Sequence, residues 1–312
     1  MRSPRFSLTH WLLVAAVALS ALAGAATAGA SSQSVIQAVG AENQYANVIA
    51  QIGGKYVHVE AVMSNPATDP HEFEASTSVA REIASAQLIV QNGVGYDAFM
   101  QQLESASPSA ARKVVTVQSL LRLPSSTKNP HLWYKPTTMP TVAKVVAHDL
   151  SALDPTHSSY FATHLKLFDV SMLAVTRAIE GFRANYAGDR VATTEPVADY
   201  LLTALGLTNS TPFSFQADIM NGIDPSPEDV ATQENLFSTH AVKMFCYNAQ
   251  VSSPVTVSLR DLAKKSHVPI VAVYETMPTP GYDYQSWMLA EINALAKAID
   301  HDTSTTSLLK HS

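Results

Sequence analysis

One cysteine, Cys246, stands in a chain of 312 residues, which excludes an intramolecular disulfide and leaves stability to core burial and any bound metal. Within the apolar run VKMFCYN it reads as a buried strand residue and not as a thiolate ligand. Charge is sparse at 15% of residues, and the formal net charge is −6. With no basic run and no basic-aromatic interleaving, nucleic acid and an anionic membrane surface are poor candidates as partners. Compact catalytic and metal signatures are missing too: there is no H-E-x-x-H, no C-x-x-C and no dense His/Cys cluster. Low-complexity segments and short-period repeats are also absent. What is present is 46% hydrophobic content, ample for one large or two ordinary domains around a buried core. Small solutes are the partners that suit such a chain.

The first segment, residues 1–30, reads as an export signal. Arg2 and Arg5 precede an apolar run from Trp11 to about Ala23, followed by small residues that offer Ala26-Thr27-Ala28 or Ala28-Gly29-Ala30 for cleavage. The alternative, a membrane-spanning helix, needs roughly 20 apolar residues, longer than this run. Ala25 stands where a lipoprotein box would require cysteine, so a lipid anchor lacks its attachment atom. The mature protein is expected to be exported, periplasmic or otherwise extracytoplasmic, and soluble after signal-peptide cleavage.

Strand and helix patterns then alternate. QSVIQAV, YVHVEAVM, LIVQNG and KVVTV read as strands, with AENQYANVIAQIGG, STSVAREIASA and GYDAFMQQLESA as the helices between them. From Thr137 to about Asn185 the pattern is helical, broken near LDPTHSS; about 25 continuous helical residues span close to 40 Å, a spine between two lobes. RVATT, TPFSFQAD, AVKMFCYN and PIVAVYE restart the strands. The fold class is therefore α/β: two lobes, each a mostly parallel sheet covered by helices, joined by a long rigid helix. The expected division is a signal peptide at 1–30, an N-terminal lobe at 31–136, a helical linker at 137–185, a C-terminal lobe at 186–301 and a frayed polar tail at 302–312.

In open α/β sheets ligands bind outside the carboxyl ends of the strands. His71, in the turn-rich loop NPATDPHEFEAS, follows YVHVEAVM; His131 lies in KNPHLWYKP; Glu195 follows RVATT; Glu275 follows PIVAVY. Two imidazoles and two carboxylates would neutralise one divalent transition metal and fill four positions around it, or more where a carboxylate binds through both oxygens. Each residue also has a plainer role open to it: His71 a solvated loop histidine, His131 packing beside Trp133 and Tyr134, Glu195 a charge at a helix N-terminus, Glu275 a solvated loop acid. His58, His148, His164 and His267 read as surface or packing residues.

The blocks NPATDPHEFEASTSVAREIASAQLIVQNGVGYDAFM, NPHLWYKP, TTEPVADYLLTALGL and VYETMP resemble those of the metal-binding solute-receptor proteins of bacterial ABC-type zinc and manganese importers. The likeness runs from about Val35 to Ile299. It implies that His71, His131, Glu195 and Glu275 ligate a transported divalent metal, Mn²⁺ or Zn²⁺ with Fe²⁺ as a third option, and that the protein is a monomer docking on a membrane permease, not an enzyme. A surface adhesin on the same fold and a metal-dependent hydrolase are the alternatives. Asn129 and Lys135 depart from the family pattern, as does Glu275, where manganese-type members usually carry aspartate; Asp283 is the fallback donor. The lack of a His-rich or acidic loop between the two histidine blocks, with the two oxygen donors, tilts the reading towards manganese. The long helix implies a small opening motion, and metal affinity should fall from pH 7.5 to pH 5 as imidazole protonates, within about the range in which histidine titrates.

Overall fold

Short apolar runs, fully buried in Leu88–Gln91, Met244–Asn248 and Ile270–Val273, build the two sheets. In the computed structural model, which describes residue 1, residues 35–67 and residues 69–309, the expected export signal lies outside the described residues. Strands β1 (Ile36–Glu42), β2 (Val57–Met63), β3 (Leu88–Gln91) and β4 (Lys113–Thr116) form one parallel sheet in the order β2-β1-β3-β4. Strands β5 (Arg190–Thr193), β6 (Thr208–Asn209), β7 (Met244–Asn248) and β8 (Ile270–Val273) form a second in the order β6-β5-β7-β8. All the pairings are parallel. In each sheet the strand order reverses beside the first strand, which opens a crevice at the carboxyl ends. Gly40 in β1 permits the helix Asn43–Gly53 to fold back onto its own strand, because a Cβ there would collide with the backbone of Ala46.

Two helices, Thr138–Leu153 and Ser158–Tyr186, carry the chain from the first sheet to the second. The break falls at Asp154-Pro155, where proline cannot continue the preceding helix and instead opens the next turn. The second helix has 29 residues, about 44 Å at 1.5 Å per residue. Its buried residues Phe161, Phe168, Met172, Val175 and Phe182 recur at helical spacing. This stripe packs against Asn43–Gly53 near the first sheet and against the closing helix Tyr284–His301 near the second.

Two expectations are corrected. TPFSFQAD is not a strand: Phe213–Met220 is a helix that buries Phe215, Gln216 and Ile219, and the strand is only Thr208–Asn209. The apolar-polar alternation at Phe213 to Gln216 is too short to separate the two periods, and the buried residues at i and i+4 follow the helical one. The tail is not frayed where it is described. Thr305 bridges Val271 in parallel, with Thr305 N–H donating to Ile270 O and Ala272 N–H donating to Thr305 O, both at 2.8 Å. Leu308 is buried, so an apolar anchor and otherwise unpaired edge groups of β8 tie the tail down. Among the described residues no helix is long and apolar enough to cross a membrane.

Candidate metal centre

Two short loops deliver the histidines in the same way. Pro70–Glu72 is a single tight turn, with Pro70 opening it and the Asp69 carboxylate accepting from His71 N–H at 2.8 Å. In the second loop Asn129 Oδ1 accepts from His131 N–H and lies against His131 Nδ1, each at 2.9 Å. An amide oxygen can only accept, so Nδ1 carries the proton toward it and Nε2 faces away, oriented as a ligand. Asn129 thus performs here the orienting work of an acid. Its amide nitrogen donates to Pro196 O at 2.7 Å, which ties the loop to the segment beside Glu195.

Glu275 lies just beyond β8 and is fully buried. Gln250 Oε1 accepts from the Glu275 and Thr276 N–H groups at 2.7 and 2.9 Å, while Gln44 Nε2 donates to Glu275 O at 3.2 Å. The Glu275 side chain is the hub of the site. Its Oε2 lies 3.3 Å from His71 Nε2 and 3.2 Å from His131 Nε2, and accepts from Tyr96 Oη at 2.8 Å. Donor atoms of His71, His131 and Glu275 fall within 4.8 Å of one another, the separation expected of ligands around one ion. His131 is fully buried, whereas the His71 side chain keeps 29% of its surface exposed. His131 also sits edge-on to Trp133, with ring centroids 5.4 Å apart, so packing and donor geometry coincide.

Glu195, buried just beyond β5, stands outside that group of three. It joins the site through Asn248, whose amide nitrogen donates to Glu195 Oε1 at 3.1 Å and to Glu275 Oε1 at 2.6 Å. Glu195 Oε2 is buried without a hydrogen-bond partner among the described residues. Asp283 is elsewhere: it caps the closing helix, accepting from Ser286 N–H at 2.8 Å. His58, His148 and His267 are exposed, and His164 stacks on Tyr160 at 4.0 Å. Cys246 is buried in β7, and that burial raises its thiol pKa.

The charges are arranged for a cation. Burial alone would lower the pKa of the His71 imidazole, but the hydrogen bond to Glu275 and the charges of Glu275, Glu195 and Asp69 raise it to about 9. Burial alone would raise the pKa of Glu275; the hydrogen bonds and charges of His131 and His71 outweigh it and hold this carboxyl far below the usual range. For Glu195, burial and the charge of Glu275 win over His71 and Asn248, and its pKa is well raised. A proton on His71 balances Glu275 where an ion would otherwise do so.

Tyr96, Gln250 and Asn248 were not among the residues singled out from the sequence. All three follow or end a strand, the rule that singled out the four candidate donors, but a phenol and two amides are not the donor types sought. A cavity of about 600 Å³ lined by His71, Tyr96, Lys128, Phe213 and Met220 opens onto the His71 side of the site.

The model of the family described as "Zinc-uptake complex component A periplasmic", ZnuA, matches residues 39–298. The manganese-binding lipoprotein MntA of Bacillus subtilis is 28% identical over 165 residues, 49% of this chain and 53% of that relative, so the match spans about half of MntA. The manganese ABC transporter substrate-binding lipoprotein PsaA of Streptococcus pneumoniae is 21% identical over 261 residues, 79% of this chain and 81% of its own. Among solved structures, the substrate-binding protein FpvC of Pseudomonas aeruginosa with Ni²⁺ superposes with a TM-score of 0.69 at 20% identity, covering 87% of this chain and 99% of FpvC.

Proposed function

Since the chain belongs to the periplasmic zinc-uptake component A family, we propose that it is an extracytoplasmic receptor that binds one divalent transition metal between its lobes and delivers it to an ABC-type membrane importer. The metal is cargo, not a resident cofactor. The observation that carries this reading is the convergence of His71, His131 and Glu275, with donor atoms within 4.8 Å, beside a buried carboxylate oxygen of Glu195 that has no hydrogen-bond partner among the described residues. Burying two carboxylates and two imidazoles is costly unless a charge compensates them, and a cation with nitrogen and oxygen preferences does so.

His71, His131, Glu195 and Glu275 are the four ligands in this reading. Four protein donors commit every position of a tetrahedral ion, which suits capture and not hydrolysis, since a catalytic metal keeps a position open for water. The ion reaches the site through the cavity on the exposed His71 side. The exported protein acts as a monomer that docks on the permease, the only protein partner the reading needs.

Chelator-competition titration with Zn²⁺ and Mn²⁺ tests it. One ion per chain is expected, with Glu275→Ala losing at least 100-fold in affinity, the scale on which removing a structural ligand acts, and Asp283→Ala within about threefold of the parent. Asp283→Ala loses a helix cap instead, about 1 kcal/mol of stability. Equal affinity in the parent and Glu275→Ala would sink the assignment.

A further inference from the structure

The two second-lobe acids do not have all four of their oxygens to offer. In the parallel register Thr193 pairs with Cys246 and Asn248 pairs with Val273. Two residues beyond those positions along the chain, Glu195 and Glu275 therefore flank the end of β7, where Asn248 sits. One amide nitrogen donates to Glu275 Oε1 at 2.6 Å and to Glu195 Oε1 at 3.1 Å. Asn248 Oδ1 accepts from Gln250 N–H at 3.0 Å, and the residue is 1% exposed. Turned over, the amide would set its oxygen against two carboxylates, so its orientation is locked. Each acid keeps one oxygen clear of the amide: Glu275 Oε2, beside both imidazoles and accepting from Tyr96 Oη at 2.8 Å, and Glu195 Oε2, without a partner among the described residues.

We propose that Asn248 sets the coordination number of the site, and so its selectivity, by holding both carboxylates as single-oxygen donors. The inference rests on the metal-receptor reading and deepens it by naming the class of ion. With both Oε1 atoms bound to the amide, the protein presents two imidazole nitrogens and two carboxylate oxygens. That set is complete for a tetrahedral ion such as Zn²⁺ and incomplete for Mn²⁺, which takes six oxygen-rich positions and would draw on the second carboxylate oxygens. Asn248 is a positioning residue: it touches the donors and not the ion.

A preference for Zn²⁺ over Mn²⁺ in the parent alone would not test this, because nearly any such site binds Zn²⁺ more tightly. The readouts are the visible spectrum of the Co²⁺ adduct and the change in the Mn²⁺/Zn²⁺ affinity ratio between the parent and Asn248→Ala. The parent adduct should show the intense visible absorption of four-coordinate Co²⁺. In Asn248→Ala that absorption should weaken, and the Mn²⁺/Zn²⁺ ratio should rise about tenfold, the scale on which groups behind the ligands act. A weak five- or six-coordinate spectrum in the parent overturns the proposal without recourse to any variant, as does an unchanged ratio in folded Asn248→Ala. Should Asn248→Ala fail to fold, the parent spectrum decides. Failure of the parent to bind Zn²⁺, Mn²⁺ or Co²⁺ at all would overturn the receptor reading itself.

Discussion

In the proposed receptor pH acts on the site through Glu195, whose pKa is well raised, and through His71. With its imidazole raised to about 9, every metal ion bound at lower pH must displace a proton, so affinity should climb about tenfold per pH unit up to pH 9. An ordinary histidine would level off near pH 7, which places the pH dependence higher than the unperturbed imidazole range used in reading the sequence. The sign reverses for the metal-free protein. Stability contributed by protonated His71 is present below about pH 6.5 and is lost as pH rises through about 9, while that of Glu275 is present above about pH 4.5 and lost only in strong acid. Titrating Zn²⁺ at pH 6, 7, 8 and 9 checks the first statement; an affinity flat above pH 7 contradicts it. The four proposed donors stood out as polar residues placed just past strands, and the residue blocks sharpened them; the structure brings three of them, His71, His131 and Glu275, together. The separation of Glu195 from the other three was not legible, because it depends on the β5–β7–β8 register that brings Asn248 between the two acids. The oxygen donors and the missing loop tilted the sequence reading to manganese; Asn248, which occupies one oxygen of each acid, points the other way.

At the scale of elements, the closing helix Tyr284–His301 carries a buried acid, Glu291, outside the candidate metal site. Glu291 Oε1 accepts from Trp287 Nε1 at 3.1 Å and Tyr134 Oη at 3.2 Å, and burial raises the Glu291 pKa to about 8 in spite of them. A carboxyl raised on folding contributes stability below its unfolded value near 4.5 that is lost as pH rises through about 8. Glu291→Gln cannot titrate, so in chelator-treated protein its Tm should match the parent near pH 5 and exceed it by roughly 5 °C at pH 9. Melting curves at the two values check this, and a Tm gap independent of pH would refute it. Elements with long patterns, such as Ser158–Tyr186, were plain in the sequence. The helix Phe213–Met220 was not, because its alternation is short, nor was the docking of Thr305 and Leu308, because a polar tail gives no local sign of the sheet edge that receives it.

Across the whole molecule, the lobes meet through more than the spine. Asn43 exchanges two 2.8 Å hydrogen bonds with the backbone of Met277, Tyr134 Oη accepts from Tyr274 N–H at 3.3 Å, and Tyr284 Oη donates to Trp133 O at 2.7 Å. These bonds join the loop that bears His131 and the start of the first crossover helix to the segment around Glu275. A helix resists bending more than a loop does, and opening the cleft also has to part this buried seam, so small movements suit the fold better than wide hinge closure. The seam places the histidines of one lobe against the acid of the other, and capture of an ion between them is the central claim. The most direct measurement is the metal content, by mass spectrometry, of the intact protein after exhaustive dialysis and after reconstitution with Zn²⁺ or Mn²⁺. One equivalent of a divalent transition metal per chain is the predicted result; no stoichiometric metal, even after reconstitution, would mean that the family's fold is here without its cargo.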